Sequence, residues 1–170
     1  MKRSEMQLPC RVAVLALGAL VLGPPAFVGA QSTSDSDQIK QKVFEYARSI
    51  DAADAASAAQ VWLDSPDVSF IHPLGHEHGF KQIQRNIYQN LMGETFSHRK
   101  LSPRDISVHL FRDCAWVEFD WDFNAKYKKD GSPINTHGRE TQVYWRTEQG
   151  WRLVHVHYSG MPATDQRTGF

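Results

Sequence analysis

Gly138-Arg139-Glu140-Thr141-Gln142-Val143-Tyr144-Trp145 and, after a short break, Gly150-Trp151-Arg152-Leu153-Val154-His155-Val156-His157-Tyr158-Ser159-Gly160 decide the fold class. Both stretches are rich in β-branched and aromatic residues, and Glu148-Gln149-Gly150 between them is a turn signal, so strands are expected over Ile134 to Arg146 and Trp151 to Ser159. Working back, Asp130-Gly131 is a hairpin turn signal, Cys114 to Tyr127 reads as a long strand, and Ile106, Val108 and Leu110 alternate. Consecutive hairpins make an antiparallel sheet. Strict alternation in the last strand puts Trp151, Leu153, His155 and His157 on one face and Arg152, Val154, Val156 and Tyr158 on the other. Neither face is plainly polar, so a sheet covered by helices on one side needs a partner on the other. A homodimer packed sheet to sheet is the simplest answer.

Upstream the period changes from two to 3.6. Ile39, Val43, Tyr46, Ala47 and Ile50 recur at helical spacing, behind a Ser/Thr/Asp/Gln leader that ends in capping residues. Asp54 can cap a second, Ala-rich helix carrying Val61 and Trp62, which stops before Ser65-Pro66. A short strand, Val68 to Ile71, runs into the turn His72-Pro73-Leu74-Gly75, and Phe80, Ile83, Ile87 and Leu91 mark a third amphipathic helix. Helices first and a meander last is the α+β pattern, with the helices on one face of the sheet.

The N-terminus carries Lys2, Arg3 and Arg11, an apolar run from Val12 to Leu22, helix-breaking Gly23, Pro24 and Pro25, and then Val28-Gly29-Ala30. These are the parts of a cleavable signal peptide over residues 1–30, and the apolar run is only about half the roughly 20 residues a spanning helix needs. The expected location is periplasmic or secreted, with no membrane contact after cleavage. Removal of Lys2, Arg3, Arg11 and Glu5 leaves 140 residues with 16 Lys plus Arg against 18 Asp plus Glu, a net charge of about −2. That balance excludes nucleic acid or an anionic membrane surface as the main partner. Cys10 leaves with the leader, so Cys114 has no intramolecular disulfide partner and is expected to be a buried small hydrophobe.

Arg139-x-Thr141, the Gly150-Trp151 turn and His155-x-His157-x-Ser159-Gly160-x-Pro162 together resemble the C-terminal hairpin of SnoaL-like proteins in the nuclear transport factor 2-like superfamily. They are also similar to the association (hub) domain of calcium/calmodulin-dependent protein kinase II. The resemblance covers about Ile39 to Pro162. It implies a cystatin-like α+β fold: a cone-shaped, curved antiparallel sheet with three helices on its concave side. The domain then spans residues 38–162, with a flexible leader over 31–37 and a tail over 163–170. In ketosteroid isomerases of similar architecture a catalytic carboxylate precedes a proline after the first strand, and His72 takes that place before Pro73. The hub cavity is lined by arginines, where this sequence has Gln142, Tyr158 and either Trp121 or Asp122. No kinase domain is present.

The fold alone does not choose an activity, so the candidates come from the residues. An unperturbed imidazole titrates near neutrality, so His72 is the candidate base; Tyr46, Tyr158 or Arg139 would hold a developing oxyanion, with Trp62, Phe119 and Trp121 as an apolar wall. Arg139, Thr141, Gln142, His155, His157 and Tyr158 complete the ligand-binding candidates, while Arg139 has an equal structural option in Glu118 or Asp120 across the sheet. Among the eight histidines, His72, His76, His155 and His157 are the ones that could ligate zinc or copper, with His78 nearby. The spacing fits no dedicated metal motif, and Glu77, Asp120, Asp122 or backbone can satisfy the same rings. The functional expectation is a cofactor-free protein that binds a small molecule in a cavity shared by the imidazoles of His72, His155 and His157, with isomerase- or cyclase-type acid–base catalysis. The alternative is a non-catalytic oligomerisation or binding module resembling the kinase hub.

Overall fold

The first helix starts where a side chain can take over its free N–H groups: the Ser34 hydroxyl accepts from the Asp37 amide at 3.2 Å. The computed structural model describes residues 34–160. The expected signal peptide, the start of the leader at 31–33, and Met161-Pro162 with the tail lie outside the described residues. α1 (Asp35–Ala52) begins inside the stretch expected to be leader, and Ile39, Val43, Tyr46, Ala47 and Ile50 are all buried along one stripe. α2 (Ala55–Val61) is capped by Asp54, which accepts from Ala56 and Ser57 amides. β1 (Ser69–His72) turns through Pro73-Leu74 into β2 (Gly75–His78), where the sequence predicts a loop.

The third helix is more unusual than its apolar spacing indicates. A single turn, α3 (Phe80–Ile83), continues as a π-helix over Gln84–Glu94, which buries Ile87 and Tyr88 and turns Leu91 and Met92 toward the sheet interior. Such wide turns are rare and often accompany functional sites. β3 (Phe96–Phe111), β4 (Cys114–Tyr127), β5 (Pro133–Thr147) and β6 (Gly150–Gly160) follow. β3 begins ten residues before the Ile106 alternation, because Pro103 and a bulge between Arg104 and Ser107 interrupt its period.

The sheet order is β2-β1-β6-β5-β4-β3. β1 runs parallel to β6, a departure from the all-antiparallel expectation; the other pairings are antiparallel. A second bulge between Val143 and Tyr144 places Val143 opposite His155 and Tyr144 opposite Leu153, leaving Val154 as the extra residue. That one residue reverses the expected facing of half the strand. Trp151, Leu153, Val156 and Tyr158 share the helix side, and His155 and His157 are on the outer side. Cys114 is likewise half-buried on the outer side, between its strand partners Phe111 and Trp145, and not in the core.

α1 lies across the helix side, packed on β3 and reaching β6. Its C-terminal end is clamped: Asp51 Oδ1 accepts from the Leu101 amide at 2.6 Å, and Arg99 donates to the carbonyls of Asp51 at 3.0 Å and Met92 at 2.9 Å. The same guanidinium therefore joins α1, the end of the π-helix and β3, satisfying carbonyls that a helix terminus leaves free. Among the described residues no helix is long and apolar enough to cross a membrane.

Candidate functional site

Alternation along β5 puts Glu140, Gln142 and Tyr144 on the helix side, where all three are buried. Their polar ends are linked in a row. Tyr144 donates its hydroxyl to Gln142 Oε1 at 2.5 Å, and Gln142 Nε2 donates to Glu140 Oε1 at 2.7 Å. Tyr46, brought over the strand by the helical stripe of α1, also hydrogen-bonds the Glu140 carboxyl. Burial raises Glu140 from the ordinary carboxyl range to about 8, against the opposing pull of the Gln142 and Tyr46 hydrogen bonds. The carboxyl is thus held mostly as the neutral acid at neutral pH. Burial first, and the Glu140 charge second, raises both Tyr46 and Tyr158 above the usual tyrosine range.

Beside this carboxyl is a hollow of about 380 Å³ between α1, the π-helix and the sheet. Its polar end carries Tyr46, Glu140 and Tyr158, and Ile50, Leu91, Met92, Leu101, Trp121 and Phe123 form much of the apolar remainder. The volume is in the range of small-molecule sites, and so is the chemistry, apolar walls with a few placed polar groups. Glu140 and Tyr158 are direct cross-strand partners, and Trp121 meets the Tyr158 ring edge-on with centroids 5.7 Å apart. Gly138 makes room for that indole: a Cβ there would lie 2.5 Å from the Trp121 ring and 2.0 Å from the Ser159 carbonyl oxygen. At the mouth, Leu74 in the β1–β2 turn lines the hollow while remaining 78% exposed.

His72 lies behind this wall. Its ring stacks on Tyr158 with centroids 6.3 Å apart and an interplanar angle of 12°, and it is buried. The Leu74 amide donates to Nδ1 at 3.3 Å, so the ring proton is on Nε2, which faces Glu77 Oε1 at 3.4 Å. Glu77 in turn accepts from Asn86 Nδ2 at 2.7 Å. Both ring nitrogens are therefore engaged by protein. Trp62 is also withdrawn, fully buried with Nε1 donating to the Tyr88 hydroxyl at 3.1 Å, where Ser49 Oγ is 3.0 Å away. Burial pushes Tyr88 up to about 12.

The sequence candidates are therefore divided by the sheet. Tyr46, Trp121 and Tyr158 line the hollow, and Gln142 supports it from the same face. Trp121, not Asp122, is the inward residue of its strand; Asp122 accepts from Arg104 Nε at 2.6 Å outside. Arg139, Thr141, His155 and His157 occupy the outer face, so the imidazoles of His155 and His157 share no hollow with His72. The bulge at Val154 is the physical reason for the histidines. Arg139 is opposite Asp120, yet no ion pair within 4.0 Å joins them. A second depression, of about 440 Å³, lies on that face among Asp105, Glu118, Asp120, Arg139, Thr141 and His157. Its carboxylate-rich, water-exposed lining is a poorer small-molecule site than the apolar hollow.

Glu140 carries no sequence motif that marks it as a site residue. The available signal was its alternation with Gln142 and Tyr144, which places a carboxyl on the buried face of a central strand.

Residues 39–164 match the model of the SnoaL-like domain family. Among solved structures, a nuclear transport factor 2-like superfamily protein from Salmonella enterica subsp. enterica serovar Typhimurium str. LT2 is 41% identical, with 80% of this chain and 97% of that chain covered and a TM-score of 0.78. A protein of the nuclear transport factor 2-like family from Streptomyces avermitilis, provisionally assigned as a dehydratase, is 22% identical over 76% of this chain and 98% of that one, with a TM-score of 0.68. One from Xanthomonas campestris, provisionally assigned as a calcium/calmodulin-dependent protein kinase II association domain, is 17% identical over 76% and 90%, with a TM-score of 0.64. These two share the fold. No curated protein matches the chain.

Proposed function

The chain belongs to the SnoaL-like domain family, and from that premise we propose that it binds one small, largely apolar molecule in the hollow and exchanges a proton with it through Glu140. The observation that carries this reading is the Glu140 carboxyl, buried in the wall of an apolar hollow and raised to about 8. An acid with that value is divided between donor and acceptor forms close to neutral pH, which general acid–base catalysis requires. Gln142 donates to Oε1, which leaves Oε2 to carry the proton of the neutral acid, with the Tyr46 hydroxyl bonded to the same carboxyl. Tyr46 and Tyr158 flank the same point with hydroxyls that stay protonated. The chemistry is of the isomerase, cyclase or dehydratase type and uses no cofactor.

His72 becomes a positioning residue in this reading. With both nitrogens engaged it has no lone pair for substrate, and its stacking on Tyr158 fixes the ring that faces Glu140. The test is mass spectrometry of the protein purified under non-denaturing conditions from its own host. One apolar small molecule per chain is expected, absent from a Met92→Trp variant that fills the hollow. Recovery of nothing, together with no melting shift from a panel of apolar ketones and carboxylic acids, would rule the reading out.

A specific observation also favours assembly. Phe111 and Trp145 are 61% and 57% exposed on the outer face, and both flank Cys114 there. Exposed aromatics grouped on a sheet face are typical of an interface, and a second copy meeting the first sheet to sheet is the proposed cover. Export to the periplasm or the medium follows from the leader: residues 1–30 direct the chain out of the cytoplasm and are removed, which the intact mass of the exported protein tests.

A further inference from the structure

The histidines left outside the hollow are not scattered. β2 pairs with Ile71 at His76 and with Ser69 at His78, while β6 pairs with the same two residues at His157 and His155. Four imidazoles thus occupy one outer patch, two on each side of β1. The two pairs differ in a way that selects one of them. His155 Nδ1 is 2.7 Å from Ser69 Oγ and so already has a protein partner. His76 and His78 are both exposed, and their ring centroids are 3.9 Å apart with an interplanar angle of 44°. Glu77 between them points inward, held by His72 and Asn86, which fixes the strand so that both neighbours project outward. β2 is also the sheet edge, open on its far side.

We propose that His76 and His78 chelate a divalent transition-metal ion that favours imidazole nitrogen, Cu²⁺ foremost. Alternate strand positions put both rings side by side on one face, within reach of one ion, and the general affinity order for imidazole donors peaks at Cu²⁺. Among the described residues no three His, Cys, Asp or Glu side chains already converge as a complete ligand set. The chelate therefore supplies two nitrogens and leaves the remaining positions to water or an external ligand, unlike a closed structural site. It is separate from the hollow, because Glu77 and the sheet lie between them.

The test is calorimetric titration of the full chain with Cu²⁺ in a non-coordinating buffer, alongside electron paramagnetic resonance of the loaded protein. The expected result is one bound equivalent with hyperfine coupling to two imidazole nitrogens, lost in His76→Gln and in His78→Gln and kept in a His155→Gln/His157→Gln double variant. Both single positions are exposed, so the variants should fold, which their circular dichroism melts will check. Copper uptake unchanged in both single variants, or lost only in the double variant, would overturn the assignment.

Discussion

Glu140 on β5 and Tyr158 on β6 are direct cross-strand partners on the helix side of the sheet, one a carboxyl raised to about 8 and the other a ring wedged between Trp121 and His72. The pair joins the polar end of the hollow to its aromatic wall. Perturbing either residue should therefore be felt at the other.

The first consequence is a pH dependence of stability. Because burial raises Glu140 in the folded chain, the folded state keeps a proton that the unfolded state has lost between about 4.5 and about 8. The Glu140 contribution to stability is fully present below that window, falls as pH rises through it by up to about 1.4 kcal/mol per pH unit, and is lost above it. Glu140→Gln removes this slope and should be the more stable protein above pH 8. Urea unfolding at several pH values checks it, and parallel slopes for both proteins would count against a raised carboxyl.

Gly138→Ala should be costly despite adding only a methyl group. The new carbon would meet the Ser159 carbonyl oxygen and the Trp121 ring at once, and the oxygen belongs to backbone that cannot rotate away. A loss of about 1–3 kcal/mol, at the upper end of that range, is expected. Trp121 fluorescence should change with it, as the indole is displaced toward the hollow. A silent substitution would mean that β5 and β6 can separate here.

Trp145→Glu places a charge on the outer face, where Trp145 and Phe111 flank Cys114. If a second copy covers that face, the variant should elute and scatter light as a monomer while its melting temperature measured at low concentration stays within a few degrees of the wild type. A wild-type protein that is monomeric at every concentration would remove the interface.

Much of the architecture was legible because it follows from period. The α1 stripe from Ile39 to Ile50, the Asp54 cap, the bounds of the Cys114–Tyr127 strand and the Gly131 turn all obey local rules, and the structure places each as read. What failed was parity and length. A bulge at Val154 reverses the facing of His155 and His157, and apolar residues on both faces of β6 hide the reversal. β2 has no apolar alternation to announce it, since Gly75-His76-Glu77-His78 carries its one inward group as a carboxylate. The π-helix keeps the same apolar spacing as an α-helix over its first turns. At the hollow, the candidates Tyr46, Trp121 and Tyr158 lie in the lining, whereas Glu140 has no sequence motif to mark it beyond its place two residues from the candidate Gln142 on the same face.

The most direct measurement is a ¹³C NMR titration of glutamate-labelled protein, with the Glu140 carboxyl resonance assigned by its absence in Glu140→Gln. A midpoint near 8 is predicted, shifting when an apolar ligand occupies the hollow. A Glu140 resonance that titrates near the ordinary 4.5, unmoved by any ligand, would contradict the account.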